Sequence, residues 1–161
     1  MHRNTEPVGL EPLTADNLAS LLEAAVADAD PLEVMPPVDG APGWNAERKQ
    51  AFLDFHRGRA LLADAPVEYT YLIVAGGRVV GAARLQPGED GVEAGVWIGR
   101  SDRGRGVGRA VAEQLRTVAA EIGARRVVAV TTVGNSAARR LLETATSTVS
   151  GDTVTATLAL D

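Results

Sequence analysis

The stretch that decides the fold is Asp102-Arg103-Gly104-Arg105-Gly106-Val107-Gly108-Arg109. It follows a predicted strand, Val92 to Gly99, and opens a predicted helix, Val107 to Ile122, whose apolar residues recur at helical spacing. Free N–H groups at a helix N-terminus form an anion site, and glycine lets phosphate oxygens approach the backbone closely. Arg103, Arg105 and Arg109 add cationic forks to this loop. The stretch therefore predicts a pyrophosphate site.

Two nucleotide-binding loops share this glycine-rich character, and neither fits. A P-loop ends in Gly-Lys followed by Ser or Thr, whereas Gly108 is followed by Arg109 and Ala110. A dinucleotide-binding loop has Gly-x-Gly-x-x-Gly after the first strand, whereas here the spacing is Gly104-x-Gly106-x-Gly108 after the fourth. The anion is therefore predicted to belong to neither of these nucleotide classes.

Apolar periodicity and turn residues place the other elements around this loop. Strands are predicted at Val8–Leu13, Tyr69–Ala75, Arg78–Leu85, Val92–Gly99, Arg126–Val133, Ser147–Ser150 and Thr153–Leu160. Helices are predicted at Ala15–Ala27 after a Thr14 cap, from Asn45 to about Ala63, at Val107–Ile122, and at Asn135 to about Thr144. The order is typical of an α/β (α+β) fold in which about four helices flank a mixed central sheet of about seven strands. We expect residues 1–161 to form a single domain.

Composition excludes several classes of protein. With 45% apolar residues in 161, the chain can bury a core of its own, and it lacks an apolar run of the ~18 residues that a membrane helix needs. We expect a cytoplasmic protein without a membrane partner. Because the chain has no cysteine and two histidines, we expect no metal site. A pI of about 5.1 without a basic stripe argues against nucleic acid as a partner.

Three motifs in sequence resemble the GNAT superfamily of acetyl-CoA-dependent N-acetyltransferases. Arg103 to Gly108 matches every position of that family's pyrophosphate loop, Arg/Gln-x-x-Gly-x-Gly/Ala. Glu93 to Gly99 is similar to the fourth strand, which carries the splayed edge of the sheet in this family. Asn135 to Leu142 is similar to the Asn-x-x-Ala-x-x-Leu-Tyr helix that follows. The resemblance implies the GNAT fold and acetyl-CoA as co-substrate.

The resemblance also implies roles for individual residues. The backbone of Val96, Trp97 and Ile98 is expected to bind the pantetheine arm, and the amides of Arg103 to Arg109 the pyrophosphate. Asn135 is expected to contact the cofactor, and it also suits a helix N-cap. Glu93 is the candidate catalytic base that takes a proton from the amine; the alternative is a strand-end carboxylate that faces solvent.

The sequence departs from the family at the residue that protonates the leaving thiolate. Leu142 stands where relatives usually carry a tyrosine, and leucine cannot donate a proton. Water or another hydroxyl can serve, with Tyr69 and Tyr71 as substitutes, although tyrosines two apart on one face of a strand more often line a core or cleft. Thr146-Ser147 also replaces the usual Gly-Phe after the last helix.

The acceptor is predicted from charge. Residues 1–68 carry 5 bases and 12 acids, whereas residues 69–161 carry 11 bases and 9 acids. An acidic half suits a cationic ligand, although solvated helix faces account for the asymmetry equally well. The candidate acceptor residues lie between the first two predicted helices or just before the second: Asp28, Asp30, Glu33, Asp39 and Trp44. We expect a small cationic amine as acceptor, and an aminoglycoside-type antibiotic fits best.

Two other functions stay open at this point. A ribosomal-protein-type N-terminal acetyltransferase is suggested by the stretch from Glu93 to Trp97. A non-catalytic module that binds acetyl-CoA is suggested by Leu142 alone. The family resemblance allows a homodimer, and the sequence does not decide the oligomeric state.

Overall fold

A computed structural model of the chain describes residues 7–61, 68–89, 91–132, 146–150 and 153–160. Its strands are β1 (Val8–Pro12), β2 (Tyr69–Ala75), β3 (Arg78–Gly88), β4 (Gly91–Ile98), β5 (Arg126–Thr132), β6 (Thr146–Ser150) and β7 (Thr153–Ala159). They form one sheet in the order β1-β2-β3-β4-β5-β7-β6. The predicted mixed sheet of about seven strands is confirmed.

The described helices are α1 (Leu18–Asp28), α2 (Pro31–Val34), α3 (Ala46–His56) and α4 (Val107–Glu121). A π-helical turn, Arg57–Leu61, continues α3, and a 3-10 turn, Arg100–Asp102, precedes the glycine-rich loop. The predicted helix from Asn135 to about Thr144 lies outside the described residues. No helix in the described ranges is long and apolar enough to cross a membrane.

Two predictions about the first helices were wrong. The first helix begins at Leu18 rather than Ala15 because Thr14 and Asn17 bond to each other first: the Thr14 N–H donates to Asn17 Oδ1 (2.7 Å), and the Asn17 N–H donates to Thr14 Oγ1 (3.2 Å). The following segment, predicted as loop, contains the short helix α2. Asp30 starts it by accepting from the Leu32 N–H, and Pro31 suits the first helical position.

The pairing of the strands follows the turns between them. Strands β1 to β4 are antiparallel neighbours, and the hairpin of β2 and β3 turns at Gly76 and Gly77, whose positive φ angles of 56° and 79° suit glycine. Strand β5 reaches β4 through the crossover helix α4, so this pair is parallel. Strand β5 is antiparallel to β7 on its other side, so the parallel pair lies between antiparallel ones.

The sheet buries a different core on each face. On one face, residues of β2 and β3 such as Ile73 and Leu85 pack against Val111 and Leu115 of α4. On the other face, a second core includes Phe52 of α3 and Leu21 of α1. Burying each such side chain contributes about 1.5–3 kcal/mol, so these cores hold α4 on one face and α1 with α3 on the other.

Strands β4 and β5 part after a short contact. Within the described strands, their pairing covers Val92 with Val127, Glu93 with Val128 and Ala94 with Ala129. The remainder of β4, from Gly95 to Ile98, continues to pair with β3 on its other side. The sheet therefore opens at Gly95, and the opening leads to the loop that precedes α4.

Candidate active site

The glycine-rich loop is shaped by left-handed backbone. Gly104 and Gly106 have φ angles of 75° and 85°, which residues other than glycine rarely adopt. Gly106 is also the N-cap of α4 and has no side chain with which to cap it. Since the first N–H groups of a helix have no partner within it, those at the start of α4 remain available to an anion. Arg105 and Arg109 are exposed beside them.

Arg103 is held by the protein rather than extended into solvent. Its Nε donates to the carbonyl of Ile98 (2.8 Å), and its Nη2 donates to Glu33 Oε2 (2.7 Å). Nη2 of Arg100 donates to the other oxygen of Glu33 (3.1 Å). Partial burial raises the pKa of Glu33, but the hydrogen bond from the Asp30 N–H and the two guanidinium groups outweigh it and bring that pKa below its ordinary value. Glu33 therefore ties α2 to the loop as a carboxylate.

The side chains of β4 alternate between the two faces of the sheet. Val92, Ala94 and Ile98 pack in the core under α4, so Val96 lies on that face too, yet it is 47% exposed. An apolar side chain left open at this point marks the opening between β4 and β5. Trp97 lies on the opposite face and packs against the core of α1 and α3.

Glu93 lies on the same face as Trp97, two residues before the opening. Its side chain is 48% exposed, and its Oε1 lies 3.5 Å from Nη2 of Arg84 on β3. The phosphate-type loop and the exposed Val96 lie toward α4, whereas Glu93 lies on the face of α1 and α3. Two ligands can therefore approach the opening from opposite faces of one sheet.

A family comparison decides what this arrangement belongs to. The family model for the acetyltransferase (GNAT) domain matches residues 8–146. The chain belongs to the GNAT acetyltransferase family. It is therefore an acyltransferase enzyme, as the loop and strand motifs predicted. A search of curated proteins returned no match.

Solved GNAT structures share the fold at low sequence identity. The GNAT domain of S. lividans PAT is 21% identical, with a TM-score of 0.71 over 94% of this chain and 89% of that one. RimL, a ribosomal L7/L12 α-N-protein acetyltransferase in complex with coenzyme A, is 18% identical, with a TM-score of 0.68 over 99% and 96%. The spermidine/spermine N-acetyltransferase SpeG from Vibrio cholerae is 13% identical, with a TM-score of 0.67 over 95% and 94%.

The GNAT fold places the four acidic residues predicted for the acceptor in different surroundings. Asp28 accepts hydrogen bonds from the N–H and the hydroxyl of Ser101, and Glu33 pairs with two arginines. Asp30 caps α2, and its own N–H donates to Glu33. Asp39 is exposed. Three of these carboxylates therefore hold the segment that contains α2 to itself and to the phosphate loop.

Trp44, also predicted for the acceptor, joins that segment to α3. Its Nε1 donates to the carbonyl of Ala29 (2.9 Å), and its ring meets Phe52 edge-on with centroids 5.9 Å apart. Arg48, which sequence reasoning missed, is 6% exposed and donates to three carbonyls of the same segment: Ala41, Gly43 (2.7 Å) and Val38 (2.8 Å). The signal for Arg48 was weak because a single arginine in a helix is usually solvated.

The tyrosines suggested as substitutes for the missing acid lie away from the opening. Tyr69 and Tyr71 are on β2, and β3 separates them from β4. Partial burial raises the pKa of Tyr71, and the nearby Tyr69 and Glu121 raise it further. Leu142 and the predicted cofactor residue Asn135 lie outside the described residues. The described tyrosines therefore offer no proton donor beside β4.

His56 is buried at the end of α3. It is 6% exposed and packs edge-on against Phe52 and Phe55. Burial lowers the pKa of His56 to about 4, and the charge of Arg59 adds to the shift. The imidazole is thus neutral near pH 7, and its Nε2 has no hydrogen-bond partner among the residues that the structure describes.

A cleft of about 290 Å³ also borders the loop. It is lined by Pro7, Val8, Asp102, Arg105, Gly106, Val107 and Ala110. The cleft lies between α4 and the edge strand β1, which β2 and β3 separate from β4. The cleft is therefore separate from the opening of β4.

Proposed function

We propose that this GNAT enzyme transfers an acetyl group from acetyl-CoA to a primary amine of a small acceptor. The observation that carries the proposal is the opening of the sheet at Gly95, with the phosphate-type loop beyond its end and Glu93 on the opposite face. Two substrates can meet there without sharing a binding surface. The geometry thus suits direct transfer between them.

The residues of the loop fit the acyl donor. An added Cβ at Gly104 or Gly106 would meet no atom of the described residues within 4 Å, so the loop surface has room for a ligand, while the positive φ of both residues favours glycine. The N–H groups that start α4 and the exposed Arg105 and Arg109 suit a pyrophosphate. The backbone of Val96, Trp97 and Ile98 is the proposed partner of the pantetheine arm, and the coenzyme A complex of the similar RimL agrees with this choice of donor.

Glu93 is the proposed catalytic base. A primary amine is mostly protonated at neutral pH, so the ammonium must lose a proton to Glu93, directly or through water, before nitrogen attacks. The new C–N bond forms as the C–S bond of the thioester breaks, and the sulfur leaves with the bonding electron pair and takes a proton. The balance is one acetamide, one free thiol and one proton released to solvent.

The acceptor that we propose needs fewer positive charges than the acidic residues of the sequence suggested. A polycation such as an aminoglycoside-type antibiotic was expected from four acidic residues, and three of them are bonded within the protein. Asp39, the fourth, is exposed. The similarity to the spermidine/spermine acetyltransferase supports a small amine, and the similarity to RimL supports a protein N-terminus as the second candidate.

Acetyl-CoA turnover, followed as free thiol release, tests the proposal against spermidine, an aminoglycoside, amino acids and a short peptide. Glu93→Gln is expected to lower kcat/KM by about 10²–10⁴-fold, the usual contribution of a general base, with acetyl-CoA affinity kept. Glu89→Gln is the matched control, because Glu89 is also exposed and lies in the turn before β4. Binding of acetyl-CoA without transfer to any acceptor contradicts the proposal and favours a binding module.

A further inference from the structure

Five polar side chains form a cluster on the acceptor face of the sheet, beside the opening. We call this set the arginine cluster: Arg59, Glu68, Arg84, Gln86 and Glu93. Arg59 and Arg84 both pair with Glu68, and both donate to Gln86 Oε1, at 3.1 and 3.4 Å. Arg84 also reaches Glu93 at 3.5 Å. Arg84 and Gln86 lie on β3, Glu93 on β4, Glu68 just before β2, and Arg59 in the π-helical turn after α3.

Glu68 holds the two guanidinium groups in place from beneath. Its side chain is 2% exposed, whereas those of Arg59 and Arg84 are 31% and 35% exposed. A buried carboxylate is costly unless it is paired, so Glu68 fixes the two cations that compensate it. The groups of the cluster that solvent reaches are therefore the guanidinium groups of Arg59 and Arg84 and the carboxylate of Glu93.

Gly95 makes room for this arrangement. It lies opposite Arg84 in the pairing of β3 with β4, and an added Cβ would fall 2.8 Å from Arg84 Nε. The side chain of Arg84 thus crosses over the glycine at which the sheet opens. Its guanidinium is placed at the opening by the backbone, and not only by its ion pairs.

The cluster matches a ligand that carries a negative and a positive charge close together. Arginine binds a carboxylate through two parallel N–H donors, and Glu93 suits an ammonium. In an α-amino acid these two groups are attached to the same carbon, as close to one another as Arg84 and Glu93 are here. A polyamine or an aminosugar offers no anion to the arginines, and its additional cations would be repelled by them.

Resting on the proposed function, we propose that the acceptor is a free α-amino acid or an analogue with a carboxylate beside its amine. Arg84, supported by Arg59, binds the acceptor carboxylate, while Glu93 takes the amine proton. Glu68 is a positioning residue that acts through the two arginines. The peptide N-terminus is disfavoured because its neighbouring carbonyl is an uncharged amide.

Matched acceptors test this inference on the full chain. Leucine, phenylalanine and aspartate are each compared with their α-carboxamides, which lack the negative charge of the α-carboxylate. The free acids are expected to react with kcat/KM about tenfold or more above the carboxamides. The amine of a carboxamide is less basic than that of the free amino acid and is more often unprotonated. Since the neutral amine is the form that attacks, this difference favours the carboxamides and works against the expected result.

Variants of Arg84 test its role through the ratio of kcat/KM for the free acids to kcat/KM for the carboxamides. A merely structural role of Arg84 would not change this ratio. Arg84→Gln is expected to bring the acid-to-carboxamide ratio close to one, mainly through KM for the acids, and Arg84→Lys to restore part of it. Gly95→Ala displaces the guanidinium without removing its charge and is expected to lower the same ratio. Arg57→Gln, an exposed arginine paired with Asp54 at 3.9 Å, is the control that keeps it.

Each outcome bears on one proposal or the other. Transfer to polyamines, aminosugars or peptides with free amino acids ignored overturns this inference and leaves the proposed function standing. An acid-to-carboxamide ratio that Arg84→Gln and Gly95→Ala both leave unchanged also overturns it. Absence of transfer to every acceptor, in a folded protein that binds acetyl-CoA, overturns the proposed function and this inference with it.

Discussion

Asp28, the last residue of α1, accepts two hydrogen bonds from Ser101, 73 positions later in the chain: one from the backbone N–H (2.9 Å) and one from the hydroxyl (2.8 Å). Ser101 lies in the 3-10 turn before the phosphate loop. An added Cβ on the neighbouring Gly99 would fall 2.5 Å from Asp28 Oδ2, so the contact requires glycine there. Helix α1 thus holds the turn that leads into the glycine-rich loop.

Asp28→Ala is expected to loosen the phosphate loop and weaken acetyl-CoA binding. Hydrogen bonds to a charged group contribute about 1.5–3 kcal/mol each, but these are partly exposed, so we expect a rise in Kd of about tenfold. Calorimetric titration with acetyl-CoA measures it. Asp54→Ala, which removes an exposed carboxylate from α3, is the control; an equal loss in both variants contradicts the role of Asp28.

Gly106→Asp is expected to abolish acetyl-CoA binding, with a Kd raised by about a hundredfold or more. Aspartate at this N-cap brings a negative charge to the proposed pyrophosphate site and must adopt a φ near 85°. Gly106→Ala separates the two effects, because it imposes the strain of about 1–2 kcal/mol without the charge. The same titration checks both variants, and equal losses would show that backbone strain alone explains the result.

His56 is expected to make the protein less stable in mild acid. The pKa of His56 is about 4 in the folded protein, against an ordinary histidine value of 6.5, so the unfolded chain binds the proton more readily between these values. The contribution of His56 to the free energy of unfolding is therefore complete above pH 6.5. It falls by about 3 kcal/mol as the pH drops toward 4. Denaturant unfolding of the wild type at pH 7 and pH 5 measures part of this loss.

His56→Phe is the variant that isolates this effect. It keeps the edge-on contacts of the ring with Phe52 and Phe55 but cannot be protonated. The free energy of unfolding of this variant is expected to fall less between pH 7 and pH 5 than that of the wild type. The same fall in both proteins would assign the acid sensitivity to other groups.

Arg48→Lys is expected to destabilise the segment that contains α2. The planar guanidinium reaches three carbonyls at once, whereas an ammonium is a single point charge and cannot keep the same fork. We expect a loss of about 2 kcal/mol in the free energy of unfolding, measured by denaturant titration. Lys49→Gln, at the exposed neighbouring position, should cost little; a loss as large as that of Arg48→Lys contradicts the assignment.

Much of the fold could be read in advance because its signals are local. Alternation of apolar residues predicts a strand whatever lies next to it, and Gly76-Gly77 defines a turn within the hairpin. The loop from Arg103 to Gly108 is likewise a contiguous motif whose backbone conformation depends on its own glycines. These features, the mixed sheet and the family were therefore accessible from the residues alone.

The proposed acceptor site was harder to predict because its contacts join distant parts of the chain. Arg84 and Gln86 share the face of β3 that carries Ala82, a buried position, and this polar alternation was the available signal for the arginine cluster. Their meeting with Arg59 and Glu68 depends on how α3 packs on the sheet. Local pattern carries no information about such a meeting.

By itself, the sequence determined most of the described elements and their order and predicted an anion loop, since these follow from the spacing of neighbouring residues. The tertiary structure decided which charges are paired. Glu33 and Arg103, 70 positions apart, form an ion pair that no local pattern predicts. The acidic segment read from the sequence as a surface for cations is in part the support of the phosphate loop, because opposite charges pair wherever folding brings them within reach.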